Sequence, residues 1–315
     1  TGKPRFYNRR GIGVRPRMTS ALRLWDGLGP LAKGTLLFLT TLFLFSIMDG
    51  IAKGLTDRHH PLQVVWARYT SQTVIAFVVL SPFLAKLLRT KHIGLQLIRS
   101  AFLFGATMSF FTSLKYIPIS SATAVFEIAP LFITILSFFV LKEKVGLRRW
   151  IGVFIGLIGA MVIIRPGSEV FSFVALLPAL AAFCFSGYAI STRFLGKDES
   201  PWTSFLYTAL IGCIASCLIV PTVWETPTLP DAGLMTSMGI VGGCGHYLLI
   251  RAFTITEASY LAPFGYVTLL FNGLWGYLFF FEIPDAPTIL GAAIIISAGV
   301  YVWYREPFSA KEKGV

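Results

Sequence analysis

Four ionisable side chains lie inside long apolar runs of this 315-residue chain: Asp49, Arg68, Glu127 and His246. A charged group among apolar side chains costs several kcal/mol unless it is paired or used, so each of them is a candidate for function. Carboxylates can bind a cation or exchange a proton, a guanidinium can bind a carboxylate, and an imidazole can do either. These residue types predict a site for a polar or charged small molecule, or for a proton.

Asp49, Arg68 and Glu127 lie at similar depth in the apolar runs that contain them. We predict a cluster in which Arg68 bridges the two carboxylates. The alternative is that the cluster only holds three helices together, which fits Asp49 and Arg68 in particular. Glu127 is the stronger candidate for binding the solute or a proton, because it follows the small-residue segment SSATAV.

His246 belongs to the segment GGCGHY, in which three glycines allow neighbouring backbones to approach closely. A single histidine in an apolar run is typical of a hydrogen-bonded core residue. The alternative is a functional role, as a proton relay or an inner gate. His59 and His60 fall in a predicted turn.

The apolar residues around these groups come in runs of about 20 residues, separated by short joints with Pro, Gly or polar residues. The chain is 55% hydrophobic and 13% charged, whereas soluble domains are about a quarter charged. A helix of about 20 residues crosses the hydrocarbon of a bilayer. We therefore predict an all-α polytopic membrane protein with ten transmembrane helices, at 33–53, 62–83, 97–115, 121–141, 150–164, 173–193, 203–221, 233–251, 258–281 and 287–304.

The excess of Lys and Arg falls on alternate joints. Eight lie in the segment that ends at Lys33, four between helices 2 and 3, four between helices 4 and 5, and three in the C-terminal tail. The positive-inside rule then places both termini in the cytoplasm, which requires an even number of helices. We expect the basic tail from Lys3 to Arg23 to contact anionic lipid headgroups and not nucleic acid.

The second half of the chain repeats the first. FSIMDGIAKGL at 45–55 aligns with FSGYAISTRFL at 185–195, and without a gap Pro61 then falls on Pro201. Further on, SLKYIPISSATAV aligns with LIRAFTITEASYL, and IGVFIGLIGAMV with LGAAIIISAGVY. Each repeat holds five helices, an odd number, so the second enters the membrane from the opposite side. The predicted organisation is a basic cytoplasmic tail at 1–32, repeats at 33–166 and 173–304, and a cytoplasmic tail at 305–315.

These segments resemble the drug/metabolite transporter superfamily, and within it the EamA-type carriers with two five-helix halves. The resemblance is carried by DGIAKGL, VVWARY, SSATAV, LKE, ESPWTSFLYTALIG, GHYLLIRAFTITEASYLAPFGYVTLLF and FEIPDAPTILGAAIIISAGVYV. It implies a bacterial inner-membrane carrier with a central cavity lined by helices 1, 3, 4, 6, 8 and 9. The solute would be a small amphipathic, zwitterionic or aromatic metabolite, such as an amino acid or a vitamin, moved by alternating access and coupled to a proton or solute gradient.

The same resemblance suggests further residues of the cavity. Tyr188, Tyr266, Asn272 and Trp275 fall in the middle of helices that the family uses to line its pathway. With Glu127, Asp49, Arg68 and His246 they complete the predicted substrate-binding or coupling residues. We expect a monomer or a homodimer, with no cofactor and no metal.

An intramembrane enzyme and a channel are the alternatives. The chain contains no Gly-x-Ser-x-Gly or His-Glu-x-x-His motif that would supply a nucleophile or a zinc site. It contains no ring-forming selectivity motif of the kind that channels use. It also lacks a phosphate-binding loop of the Gly-x-x-x-x-Gly-Lys-Ser/Thr type, so we expect transport to follow gradients and not ATP hydrolysis.

Overall fold

The computed structural model describes residues 28–140, 142, 147–165, 173–196, 199–256 and 261–305, and within these ranges the chain is helical without a strand. The helices are α1 (Pro30–Thr56), α2 (Pro61–Leu80), the single turn α3 (Leu84–Leu87), α4 (Ile93–Leu114), α5 (Ile119–Phe126), α6 (Ala129–Val140), α7 (Leu147–Ile164), α8 (Leu177–Leu195), α9 (Pro201–Ile219), α10 (Leu229–Ile255), α11 (Val267–Phe280) and α12 (Ala286–Arg305). The predicted tails lie almost wholly outside the described ranges, so the lipid contact of the basic tail stays a prediction.

The all-α membrane architecture is confirmed. Seven helical segments among the described residues are long and apolar enough to cross a membrane. The apolar parts of α7, α11 and α12 are shorter. Apart from the single turn α3, these elements follow the predicted helices in order, with α5 and α6 together in the place of the fourth. The number of ten membrane crossings remains a prediction.

Two corresponding helices in the two halves of the chain begin in the same way, with a proline in the first turn and a side chain that caps the helix. Pro61 and Pro201 occupy the first turns of α2 and α9, where a missing backbone N–H costs little. The His60 ring accepts a hydrogen bond from the backbone N–H of Leu62, and the Ser200 hydroxyl accepts one from Trp202. The alignment of Pro61 with Pro201 therefore corresponds to two helix starts built in the same way.

The fourth predicted helix, at 121–141, is interrupted. The segment α5 ends at Phe126 and α6 begins at Ala129, with Glu127 as the capping residue between them. Pro130 explains the interruption, because its ring cannot donate to the carbonyl of Phe126 and clashes with it. The ninth predicted helix is irregular too, since Pro263 lies in a 3₁₀ segment, Ala262–Tyr266, that leads into α11.

The helices pair reciprocally across the two halves. The first helix of one half packs on the third of the other, as α1 does on α10 and α8 does on α4. The second helices pack on each other, as α2 does on α9, and so do the last ones, α7 and α12. Two related halves around a two-fold axis produce this pattern, because each contact then occurs twice with the partners exchanged.

Glycines allow the closest of these crossings. A Cβ atom on Gly159 of α7 would lie 2.8 Å from the carbonyl oxygen of Gly291 on α12, and one on Gly291 would lie 2.6 Å from that of Gly159. In α10, a Cβ on Gly239 would lie 1.8 Å from Oγ of Ser71. Helices in membranes associate through small residues of this kind.

Ion pairs join the two halves at the helix ends that the predicted topology places outside the cell. Lys53 Nζ lies 3.4 Å from Glu282 Oε1, and Arg58 Nη1 lies 2.7 Å from Asp231 Oδ1. The His59 ring bonds to the same Asp231 carboxylate at 3.1 Å. Lys53 and His59 are buried, so these contacts seal the ends of α1, α10 and α11 against one another.

Candidate functional site

A cavity of about 110 Å³ lies between the two halves. Residues of α1, α4, α5, α8, α10 and α11 line it, together with Glu127 at the break after α5. These helices correspond to the six that the resemblance implies, and Arg68 of α2 joins them. Six of the eighteen lining residues are phenylalanines: Phe38, Phe45, Phe110, Phe111, Phe126 and Phe185.

Asp49 and Asn272 connect the two halves at this cavity. The Asn272 side-chain amide donates to Asp49 Oδ2 at 3.2 Å and to Thr123 Oγ1 at 2.8 Å. All three residues line the cavity, and Asn272 is fully buried. Its own Oδ1 has no hydrogen-bond partner among the described residues, so it is an acceptor available to a ligand.

Arg68 lines the cavity without bridging the carboxylates. Its Nη1 donates to Thr107 Oγ1 at 2.5 Å, and the guanidinium carbon lies 4.8 Å from the centre of the Tyr69 ring. Within the described residues, no ion pair joins Arg68 to Asp49 or Glu127. The predicted bridge is therefore absent from this conformation, because the side chain turns toward α4 instead.

Glu127 combines burial, a break in the helix and a lack of partners. It is 3% exposed and lines the cavity from the interruption between α5 and α6. The described residues make no hydrogen bond or ion pair with its carboxyl group. Gly265, on the irregular segment of the other half, approaches this carboxyl group, since a Cβ built on it would lie 3.3 Å from Glu127 Oε2.

The other predicted residues lie behind or beside this wall. Tyr188 and His246 are fully buried and bond to each other at 3.1 Å. The Trp275 indole donates to Ser46 Oγ at 3.1 Å, which fastens α11 to α1. The hydroxyl of Tyr266 is buried without a partner among the described residues. The structure thus brings Asp49, Arg68, Glu127 and Asn272 to one cavity and packs the other four around it.

Arg99 is the residue that the sequence pattern misplaces. It is one of the four basic residues assigned by charge to the joint between predicted helices 2 and 3, yet it is fully buried inside α4. The helix begins at Ile93 and not at 97. Gln96, three residues earlier and also fully buried, is the signal in the sequence that a polar core lies at this depth.

No metal centre is evident. Within the described ranges, no group of three or more His, Cys, Asp or Glu side chains is placed to hold a metal ion. The lining of the cavity combines one guanidinium, two carboxyl groups and six phenylalanine rings.

Comparison with known proteins gives the family. A model described as the EamA-like transporter family matches residues 32–165 and 172–304. The S-adenosylmethionine uptake transporter of Rickettsia prowazekii is 29% identical over 91% of this chain and 98% of its own. The riboflavin transporter of Vibrio cholerae is 30% identical over 86% of this chain and 92% of its own.

A solved crystal structure shares the fold. It superposes with a TM-score of 0.64 at 21% identity and covers 86% of this chain and 96% of that one. The two matched segments, the helical architecture and the transporters among its relatives agree with one another. The chain therefore belongs to the EamA-like transporter family of the drug/metabolite transporter superfamily, and it is a multi-pass membrane transporter of small metabolites and not an enzyme.

Proposed function

We propose that the protein is a secondary carrier that moves a small organic metabolite through the central cavity by alternating access. It works in the bacterial inner membrane with both termini in the cytoplasm, as a monomer or a homodimer. The observation that carries the proposal is a buried cavity between the two halves that holds Asp49, Arg68 and the unpartnered Glu127. Carriers with inverted repeats bind their solutes at such an interface and expose it to each side in turn.

The unpaired polar atoms describe the polar part of the solute. Arg68 Nε is a buried donor without a partner among the described residues, and Asn272 Oδ1 is an acceptor in the same condition. The carboxyl group of Glu127 adds a second acceptor. A buried group left without a hydrogen bond costs about 1–3 kcal/mol, which a ligand can recover by pairing with it. The complement is a zwitterionic head group, with a carboxylate for Arg68 and an ammonium or N–H group for Glu127 and Asn272.

The phenylalanines describe the remainder of the solute. Phe110, Phe126 and Phe185 form a chain of rings, with centroids 5.3 and 5.5 Å apart. Aromatic walls suit an apolar or flat ring body and also attract cations to their faces. The substrates named for the two relatives, S-adenosylmethionine and riboflavin, both contain fused heterocycles. We infer an amphipathic metabolite with a ring or apolar body and a charged head.

The size of the cavity supports alternating access. About 110 Å³ is well below the roughly 300–1,000 Å³ of pockets that hold organic ligands. The solute-loaded site must therefore widen, and the interruption at Glu127 provides a place where α5 and α6 can change their relative angle. Tyr188, His246, Tyr266 and Trp275 support the cavity from behind or beside its lining.

Energy would come from a solute or proton gradient. Glu127 is the group we assign to solute or proton binding, because it is buried at the cavity and free of competing partners. Asp49 and Arg68 set the charge around it. ATP-driven uptake by the purified protein alone would contradict this part of the proposal.

Counterflow in proteoliposomes tests the proposal. Vesicles with purified protein are preloaded with unlabelled S-adenosylmethionine, riboflavin or a further metabolite that raises the melting temperature of the protein, and a trace of the labelled compound is added outside. A carrier accumulates the label transiently above its equilibrium level, because exchange is faster than net loss. Equilibration without an overshoot would indicate a channel and would overturn the carrier mechanism.

A further inference from the structure

We infer that Arg99, acting through the hydroxyl of Tyr188, holds His246 as an uncharged ring whose Nε2 accepts a hydrogen bond and whose Nδ1 carries the hydrogen. These three residues lie outside the lining of the cavity. Arg99 is in this sense a positioning residue of the carrier, and the inference does not depend on which solute is carried.

Arg99 joins α4 of the first half to α8 and α9 of the second. Its Nε donates to Thr192 Oγ1 at 2.7 Å, and its Nη1 donates to Thr208 Oγ1 at 2.7 Å and to the carbonyl of Ser204 at 2.9 Å. Its Nη2 donates to Tyr188 Oη at 3.0 Å. These acceptors are all neutral. The guanidinium is thus hydrogen-bonded to neutral acceptors alone, without a carboxylate.

The direction of the next hydrogen bond follows from the chemistry of the groups. A guanidinium has no acceptor, so Tyr188 Oη must accept from Arg99. The single hydroxyl hydrogen of Tyr188 is then free for His246 Nε2, 3.1 Å away. Nε2 can accept it only if it carries no hydrogen itself. The neutral ring then carries its hydrogen on Nδ1, a buried atom without a hydrogen-bond partner among the described residues. The other tautomer, with Nε2–H donating to Tyr188 Oη, would leave both Nδ1 and the hydroxyl hydrogen of Tyr188 without a partner there, which costs more.

The surroundings of His246 oppose a second hydrogen. A protonated ring would donate to the same oxygen that already accepts from Arg99, and the hydroxyl hydrogen of Tyr188 would lose its acceptor. Arg99, which bonds to the same Tyr188 oxygen as the ring, is a cation, and so is Arg68 in the lining of the cavity. Phe45 covers one side, with ring centroids 6.0 Å apart. No carboxylate contacts the ring among the described residues.

The network lies directly behind the wall of the cavity. Each member is one helical turn from a residue that lines it: Leu103 on α4, Phe185 on α8 and Leu249 on α10. A fixed orientation of the three side chains fixes the wall as well. It also removes His246 from proton exchange, which leaves that role to the carboxyl groups.

Nitrogen NMR of the full chain in lipid nanodiscs, labelled with ¹⁵N-histidine, tests the inference. The protein has only four histidines, so His246 can be assigned from the signal that His246→Gln removes. Between about pH 5 and pH 8, where an ordinary histidine titrates, we expect one tautomer with an unprotonated Nε2. Tyr188→Phe should abolish this fixed tautomer, and so should Arg99→Lys, which keeps the charge but loses the guanidinium fork.

The controls separate this role from general packing. Tyr207 on α9 is a tyrosine outside the network, and its hydroxyl donates to the carbonyl of Leu88 at 2.8 Å. The control variant Tyr207→Phe should therefore leave the His246 signal unchanged. If Arg99→Lys does not fold, Tyr188→Phe decides alone. An imidazolium or a hydrogen on Nε2 in the unaltered protein would overturn the inference. An unchanged His246 signal in Tyr188→Phe would overturn it too.

Discussion

Two buried carboxyl groups line the same cavity but differ in how they are held. Asp49 accepts from Asn272, which also holds Thr123, so its carboxylate is part of a bond network across the halves. Glu127 has no such bond among the described residues, although it is 3% exposed. The aligned position in the second half is near Pro263 and carries no acid. Because only one half contains this carboxyl group and it makes no hydrogen bond among the described residues, we propose that it binds the solute or a proton.

Glu127→Gln should therefore leave folding intact and remove transport or its pH dependence. A charge-assisted hydrogen bond contributes about 1.5–3 kcal/mol, so we expect counterflow to fall by roughly tenfold or more. Size-exclusion profiles and melting temperatures check the fold, and counterflow at several pH values checks the function. Glu225→Gln, which alters an exposed glutamate, is the matched control. Normal transport by Glu127→Gln at every pH would contradict this role and would indicate that Glu127 serves only in packing.

At the scale of helices, glycines allow neighbouring helices to cross closely, and side-chain caps stabilise the first turns of the helices. In α10, Gly239 meets Ser71 and the backbone nitrogen of Gln72, while Gly233 of the same helix has open space around its Cα. Helix propensity favours alanine equally at both sites, by about 1 kcal/mol. The difference between two alanine variants therefore isolates the packing.

Gly239→Ala should lower the melting temperature of the detergent-solubilised protein by several degrees, because a Cβ 2.8 Å from the backbone nitrogen of Gln72 forces α2 and α10 apart. Gly233→Ala should leave it unchanged or raise it slightly. Fluorescence-detected thermal unfolding of the two variants is the measurement. Equal melting temperatures would show that this crossing is not close in the folded protein.

Asp285 caps α12 at a joint outside the membrane-spanning helices. It accepts from the backbone N–H of Thr288 at 3.0 Å and from Arg165. These donors lower the pKa of the Asp285 carboxyl group from 3.8 to about 2. A depressed pKa adds stability that is complete above the unfolded value and is lost as the pH falls from about 4 toward 2. At neutral pH the carboxylate is therefore a stable cap.

Asp285→Ala should cost about 1 kcal/mol of stability at pH 7, the usual effect of losing a cap. Asp285→Asn keeps an oxygen for Thr288 and should cost less, because an ion pair exposed to water adds little. Denaturation of both variants in mild detergent gives the comparison. An equal loss in both would show that the charge and not the cap is what matters.

At the scale of the whole molecule, the reciprocal pairing of helices explains how one sequence motif can face both sides of a membrane. The first helix of each half packs on the third of the other. In the proposed mechanism, the rocking of one half would therefore change both ends of the cavity together. Lys53, Arg58 and His59 tie the halves at one end. Opening at that end requires these contacts to break.

Cysteine labelling should place the joints of this arrangement on opposite sides. The native Cys184, Cys213, Cys217 and Cys244 are free thiols and would first be replaced. Single cysteines at Lys91 and at Glu225, both exposed, should then react with an impermeant reagent from inside and from outside the cell, respectively. Labelling of both from the same side would contradict the inverted topology.

The helices and the family can be predicted from the sequence, because runs of apolar residues, proline-containing joints and an internal repeat indicate them. The directions in which the side chains point cannot be predicted in this way. Depth along a helix placed Arg68 beside two carboxylates, but rotation about the axis turns it toward Thr107. The charge count placed Arg99 in a joint, because its neutral partners come from distant parts of the chain. The interruption at Glu127 was foreseeable from Pro130, three residues later.

Arg99 also constrains the order in which the protein can be assembled. Its partners Tyr188, Thr192 and Thr208 are synthesised 89, 93 and 109 residues later, a delay on the order of 10 s at ribosomal speed. Until these partners are made, the guanidinium has to be hydrated. Arg99 lies six residues after the start of α4, which is about 9 Å along the helix, so its long side chain can reach the lipid headgroups if α4 begins at the membrane surface. A chain stopped before Tyr188 should therefore hold the start of α4 nearer the membrane surface. Thiol accessibility at a cysteine in place of Gly94 would register that shift during biogenesis.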